Sequence, residues 1–249
     1  MELRRPTGDH GRRPYRHPQL PHRESSRPGS DPISPREEKE RVLPVIKRLR
    51  EQTSLLISID TTKSEVAEAA LDSGADIIND ISALRIDPRM ADLAADRKVP
   101  VILMHMQGIP KTMQREPCYE DVLCEINVFF QERIAMAKSH GIEEERIILD
   151  PGVGFGKRLE DNLVLIKHLD YFKELGRPML LGVSRKSFIG SILDLPAEDR
   201  LEGTIAASLM GIIGGAHILR VHDVGAVKRA VVVAERILDE GMLMMESVN

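Results

Sequence analysis

Two cysteines, Cys118 and Cys124, are the only thiols in a chain of 249 residues. Their spacing is not that of a zinc site, and so small a complement fits a reducing, cytoplasmic setting. No apolar stretch approaches the roughly 20 residues that a membrane helix needs. No apolar segment follows the N-terminus, so the pattern of a secretory signal is missing. Charge of one sign is scarce as well. The formal net charge of -4 favours neither nucleic acid nor an acidic membrane surface as a partner. The length suits one (β/α)₈ barrel or one to two smaller domains, and it can bury a sizeable core.

What the sequence does contain is a series of short apolar runs, each ending in a polar or charged residue. Leu55-Leu56-Ile57-Ser58-Ile59 ends in Asp60, Ala75-Asp76-Ile77-Ile78 in Asn79 and Asp80, and Val101-Ile102-Leu103-Met104 in His105. Arg146-Ile147-Ile148-Leu149 ends in Asp150, Met179-Leu180-Leu181-Gly182-Val183 in Ser184, Arg185 and Lys186, and His217-Ile218-Leu219 in Arg220 and His222. Helix-period segments separate the runs, and strand–helix alternation of this kind predicts parallel βα units. Folds of that type keep their chemistry at the carboxyl ends of the strands. The count is about six strands, against the eight of a closed barrel.

Residues 1–23 do not share the pattern. They are rich in arginine and proline (Arg4, Arg5, Arg12, Arg13, Arg16, Arg23; Pro6, Pro14, Pro18, Pro21) with no strand or helix period. This composition reads as a disordered basic arm, with a nucleic-acid tail or a transit peptide as the alternatives. Order is expected after Arg27-Pro28-Gly29, where Ser34, Pro35 and Glu37 suit the N-cap, N1 and N3 of a helix. That helix would bury Val42, Val45, Ile46 and Leu49, and Pro44 sits awkwardly inside it. A second helix is expected behind a capping box of Thr62 and Glu65. Further helices are expected around 88–96 and 119–139, through Leu163, Ile166 and Leu169, over 204–213 and near 224–240.

Several strand ends carry chemistry, each with a plain alternative. The loop Asp150-Pro151-Gly152-Val153-Gly154-Phe155-Gly156-Lys157 is not a phosphate loop, because Lys157 is followed by Arg158 rather than Ser or Thr. Asp150 is then either a carboxylate above a turn that approaches a flat ligand, or a cap for that turn. Lys186 is a Schiff-base nucleophile, a fixed donor to a ligand, or a solvated side chain. Arg220 and His222 share one strand face and suit an anion, unless one forms a structural pair with Asp223. Asp60 and Asn79 serve a ligand or cap helices. Met104 lines core and pocket, and His105 need not bind a metal.

Taken together, Ser25-Ser26-Arg27-Pro28-Gly29-Ser30, Ile59-Asp60-Thr61, Ile77-Ile78-Asn79-Asp80, Leu103-Met104-His105-Met106-Gln107-Gly108, Leu149-Asp150-Pro151-Gly152, Ser184-Arg185-Lys186-Ser187 and Arg220-Val221-His222-Asp223 resemble the dihydropteroate synthase family. The motifs run in order from about Glu24 to the C-terminus. The resemblance implies a (β/α)₈ TIM barrel over 24–249. It also implies condensation of 6-hydroxymethyl-7,8-dihydropterin diphosphate with p-aminobenzoate, releasing pyrophosphate, in folate synthesis, with sulfonamides imitating the aminobenzoate. It gives Asp60, Asn79, Met104, Asp150, Lys186 and Arg220 to the pterin, and Arg27, Arg220 and His222 to the diphosphate. Ser26, Pro28, Phe155 and Ser187 fall to the aminobenzoate. Lys186, Asp150, Arg220 and His222 then form the catalytic set, with Lys186 a donor rather than a Schiff base. Mg²⁺ is implied on the diphosphate, and a homodimer is implied as the assembly.

The departures lie at the N-terminus. The family opens with a strand ending in a Mg²⁺-binding Asn, a Thr-Pro-Asp-Ser-Phe loop and a second strand, and none of these has a counterpart here. The expectation is a barrel lacking its first two strands, with no metal ligand among the assigned residues. Two other readings stand beside the enzyme. One is a non-catalytic pterin-binding remnant or accessory subunit. The other is a pterin-dependent methyltransferase barrel, which would have no diphosphate for Arg220 and His222 to hold.

Overall fold

The computed structural model describes residues 33–246, with side chains as far as Leu238. The arm over 1–23, and with it Ser26, Arg27 and Pro28, lies outside the described residues. Within them the order is α1 (Pro35–Gln52), β1 (Ser58–Asp60), α2 (Ser64–Asp72), β2 (Ile77–Asp80), α3 (Arg89–Arg97), β3 (Val101–Met104), α4 (Val122–Ser139) and β4 (Ile147–Asp150). There follow α5 (Leu159–Lys167), β5 (Leu180–Leu181), α6 (Ser187–Leu193), α7 (Leu201–Ile213), β6 (Ile218–Leu219) and α8 (Val224–Glu246). β1 to β4 pair in sequence order, all parallel, and β5 pairs parallel with β6. A parallel bridge between Leu149 and Met179 joins the two groups. The six strands are the wall of a (β/α)-barrel, and β1 and β6 are its edges among the described residues.

The apolar runs are continuous because both faces of this wall are buried, as in parallel sheets flanked by helices. Alternation sorts the side chains. Ile102, Ile148 and Leu180, with Ile77 and Ile218 against them, point to the concave side and form a separate inner cluster. Ile59, Ile78, Leu103, Ile147, Leu149 and Leu181 point outward and pack with Phe130 of α4 and Leu165 of α5 in the main core. Each fully buried Ile or Leu contributes about 1.5–3 kcal/mol relative to exposure, so the register of every strand is strongly fixed.

Local signals behave unevenly. Ser34 caps α1 as expected, its Oγ accepting from the Glu37 N–H at 3.2 Å. α1 runs on through Pro44, which is exposed, so the carbonyl left without a helical donor faces water. The capping box expected at Thr62 and Glu65 does not form. α2 begins at Ser64, whose N–H donates to Asp87 Oδ2 at 2.8 Å, while Glu65 pairs with Lys39. A carboxylate brought in from the next loop outcompetes the local cap. α6 was not foreseen, because seven residues are too few to display a helix period. β5 and β6 are two residues each, shorter than the apolar runs over 179–183 and 217–219, since the backbone leaves the ladder as it reaches the rim.

Asp80 shows how the rim loops are held. It faces outward, opposite to Asn79, and is fully buried. Its Oδ1 accepts from the N–H and Oγ of Ser82 at 2.8 and 2.7 Å, and Oδ2 accepts from the Leu84 N–H at 2.9 Å. These bonds pin Ala83 and Leu84 in left-handed conformations, φ 52° and 64°. Burial raises the carboxyl's pKa and the Ser82 and Leu84 donors oppose it. Asp80→Ala strands three buried donors and should cost about 2–4 kcal/mol, read as a fall in the urea midpoint without a change in slope.

Candidate active site

One pleat above the inner apolar cluster, the side chains at the carboxyl ends turn polar. Register places Asp60 beside Asn79 and Met104 beside Asp150, all on the concave side by alternation. Gly182 and Arg220 follow β5 and β6 at the same level. The glycine leaves room, and the arginine fills the gap between the two edges. Arg220 donates to Asp60 Oδ2 and so ties the last strand to the first, 160 positions apart in sequence. Asp60 Oδ1 accepts from Asn79 Nδ2. Asn79 Oδ1 is buried and accepts from nothing among the described residues. An unpaired buried polar atom is costly, and here it presents hydrogen-bonding capacity to a ligand.

Asp150 lies at the centre. It is 6% exposed, and its Oδ1 accepts from the Gly152 N–H at 2.8 Å, so it does cap its own turn. Burial raises its pKa, opposed by the Lys186 ammonium, the Gly152 N–H, Arg220 and Lys157. Lys186, half-buried, donates to the Val153 carbonyl and stands 4.8 Å from the Phe155 ring centroid. Its pKa is pushed down to about 8 by burial, with Asp150 pulling it up and Arg220 pushing it down. The second oxygen of Asp150 and two protons of Lys186 remain for a ligand. Met104 belongs to a small cluster with Ile81, Met106 and Met113, and Phe155 packs against it. An apolar slot thus lies beside the charged groups.

The glycine loop takes its shape from the neighbouring rim. Gly152 and Gly156 have φ 66° and 61°, and a Cβ on them would lie 1.9 Å from the His105 carbonyl oxygen and 2.5 Å from that of Gln107. Close backbone approach is therefore the reason for glycine here. The Tyr119 hydroxyl donates to the Gly156 carbonyl at 2.7 Å, and Asn162 Oδ1 accepts from the Gly154 N–H at 2.6 Å.

At the β6 end, His222 Nδ1 stands 2.8 Å from Ser184 Oγ. The ion pair considered for Arg220 or His222 with Asp223 goes elsewhere. Asp223 takes Arg185 in a bidentate pair at 2.9 to 3.0 Å. Arg185 adopts φ 57°, a left-handed backbone that costs a non-glycine residue about 1 kcal/mol or more. Three contacts hold it there: the Asp223 pair, Thr204 Oγ1 accepting from its N–H at 3.0 Å, and Arg200 donating to its carbonyl at 3.0 Å. The turn delivers Lys186 to the rim and starts α6 at Ser187, which is exposed beside it.

Asp60, Asn79, Met104, Asp150, Phe155, Lys186, Ser187, Arg220 and His222 therefore all lie on the carboxyl rim or its loops. Sequence reasoning missed Lys157, Arg185, Thr204, Arg200 and Asp223 as supports. Arg185 and Asp223 are 38 positions apart, too far for any local signal. Lys157 is buried, whereas a lysine next to glycines ordinarily reads as solvated. No cluster of three or more His, Cys, Asp or Glu occurs among the described residues. At the β6 end Arg220 is cationic and offers no oxygen, and Asp223 is taken by Arg185, so these residues do not fit Mg²⁺, which takes oxygen ligands.

The family model of pterin-binding enzymes matches residues 23–222. A dihydropteroate synthase of Synechocystis sp. is 47% identical over 213 residues, covering 85% of this chain and 74% of that protein. A Yersinia pestis dihydropteroate synthase with a sulfonamide drug superposes with TM-score 0.84 at 40% identity, over 87% of this chain and 78% of that one. The Xanthomonas albilineans dihydropteroate synthase with 4-aminobenzoic acid superposes with TM-score 0.82 at 45% identity, over 86% and 77%.

The contact at Gly152 is testable against a glycine without one. Gly176 has φ 63° and nothing within 4 Å of a Cβ. Gly176→Ala should cost about 1 kcal/mol for conformation alone. Gly152→Ala adds a backbone clash and should cost about 2–4 kcal/mol, measured by urea unfolding of both variants.

Proposed function

The chain belongs to the pterin-binding enzyme family, and we propose that it acts there as a dihydropteroate synthase. It would join 6-hydroxymethyl-7,8-dihydropterin diphosphate to p-aminobenzoate, giving dihydropteroate and pyrophosphate, a transferase step in folate synthesis. One observation carries this reading: a buried carboxylate, Asp150, flanked on one concave rim by the unpaired Asn79 oxygen and by the cations Lys186 and Arg220.

Each group has a task that its chemistry supports. The pterin edge offers an amino group beside a ring N–H, and an ionised Asp150 accepts both. Asn79 and Asp60 meet further ring nitrogens, and Lys186 donates to the ring oxygen and N5. Met104 and Phe155 border the flat slot, Phe155 on the aminobenzoate side, and Ser187 meets the aminobenzoate carboxylate. Arg220 and His222 bind the diphosphate, with Arg220 also stacking on the ring. By family resemblance Arg27 joins them, and Ser26 and Pro28 close over the aminobenzoate.

The methylene C–O bond breaks with its electron pair leaving on pyrophosphate, and the pterin-conjugated cation is captured by the aryl amine, which then sheds a proton. Arg220 and His222 favour departure by stabilising the leaving anion. The anionic Asp150 tolerates the positive charge on the ring. No strong general base is required of the protein. Mg²⁺ enters only as a companion of the substrate's diphosphate; no described side chain is assigned to it and no step depends on it here.

A cytoplasmic location is proposed from the two cysteines alone; no helix among the described residues is long and apolar enough to cross a membrane. The assembly proposed is a homodimer. It is supported by an apolar groove of about 470 Å³ between α5, α6 and α7, with Ile192, Leu193 and Met210 exposed along it.

Purified chain with pterin diphosphate and p-aminobenzoate should release pyrophosphate. Tight pterin binding without release would identify a non-catalytic binding protein instead. Asp150→Ala should abolish pterin binding in calorimetry, and unchanged affinity would refute the assignment. The sign of the pH effect follows from Lys186. Its ammonium donates only when protonated, so pterin affinity should fall as pH rises through about 8.

A further inference from the structure

Lys157 closes the glycine loop, yet its side chain turns into the protein and is 4% exposed. A buried ammonium is tolerated only when its donors are used and its charge is answered. The donors are used. Nζ stands 3.0 Å from His105 Nδ1, 3.1 Å from the Phe155 carbonyl and 3.5 Å from the His105 carbonyl. His105 is buried, and burial with the nearby charges of Lys157 and Arg85 holds its pKa far below the usual range. The ring is therefore neutral, Nδ1 offers its lone pair, and Nε2 carries the hydrogen. These contacts tie the end of β3 to the loop that carries Phe155.

The charge is answered at a distance. Lys157 has no carboxylate in an ion pair among the described residues. Asp150 on β4 is the strongest influence favouring its charged form, ahead of Asp161 on α5, while Lys186 from the β5 end opposes it. Tyr119 stacks 6.0 Å away as a neutral phenol. Asp150 in turn is faced by Lys186, the Gly152 N–H, Arg220 on β6 and Lys157. Lys186 and Arg220 border the open rim. Lys157 does not.

We propose that Lys157 is a positioning residue for the pterin carboxylate: its ammonium, seated between His105 and the Phe155 carbonyl, clamps the glycine loop to the β3 rim and supplies a buried counter-charge to Asp150. This rests on the reading of Asp150 as the group that binds pterin. Lys186 and Arg220 become committed to substrate, whereas Lys157 stays behind the loop, where its charge favours the ionised carboxylate. The role needs a cation and not merely a filler, which separates it from packing.

Calorimetry of the full chain with 6-hydroxymethyl-7,8-dihydropterin from about pH 5 to 9 tests it. Lys157→Met should weaken binding about tenfold on the acid limb of the profile and move that limb up by about one unit. Each unit by which the Asp150 pKa rises removes a factor of ten of ionised carboxylate below it. The deficit should narrow as pH rises toward 8, because wild-type Lys157 gives up its own proton from about 7. Lys157→Arg, which keeps the charge, should leave the acid limb in place even where affinity falls. If Lys157→Met does not fold, Lys157→Gln keeps a donor for the same acceptors without the charge and should show the same displaced limb. A folded neutral variant whose affinity loss is equal at every pH, or absent, would overturn the proposal. Wild-type chain that binds no pterin at any pH would overturn the function itself, a distinguishable result.

Discussion

The alternation of side chains along short parallel strands, held in register, is the constraint on which everything else here depends. Ile77, Ile102, Ile148, Leu180 and Ile218 must face inward to fill the barrel. Two residues further on, the same face must therefore present Asn79, Met104, Asp150, Gly182 and Arg220. A slip of one residue in any strand would exchange these for the outward set and bury the wrong groups. The apolar layer thus does two jobs, since the burial that stabilises the wall also aims the chemistry.

The second constraint is electrostatic. Asp150 sits where water is nearly excluded, and burial raises its pKa. Lys186, Arg220, Lys157 and the Gly152 N–H, drawn from three segments of chain, together favour its ionised form. The cations share the cost, because burial and mutual repulsion lower Lys186 to about 8 and burial lowers Lys157 to about 7. Such mutually shifted groups in one cleft are characteristic of a working site rather than of a structural ion pair. The Asp60–Arg220 pair has a different character. It spans the two edge strands of the described wall at the rim, where a pterin ring or a diphosphate would compete for the same arginine.

Rim loops are positioned by contacts that no short stretch of sequence contains. Gly152 fits because the His105 carbonyl is where it is. Arg185 bears a left-handed backbone because Asp223 holds it from the end of β6, Thr204 from α7 and Arg200 from the turn before α7. Asp87 displaces the local cap of α2 from the next loop along. In each case a residue with a plausible local role serves a distant one.

Much of the architecture was legible in the residues themselves. The apolar runs ending in Asp60, Asn79, Asp150, Lys186 and Arg220 gave the parallel βα order and the rim, because strand period and helix period are local properties of a chain. The Ser34 cap was legible for the same reason, its bond spanning three residues. The tertiary structure alone decided which polar groups meet. It paired Asp60 with Arg220, gave Asp223 to Arg185 instead of Arg220, left Asn79 Oδ1 without a partner among the described residues, and turned Lys157 inward onto His105. Those outcomes depend on distances between segments tens of residues apart, and on how much water each segment excludes. Composition and spacing specify the groups available at the rim; packing determines which of them are buried, which are charged and which remain open to a substrate.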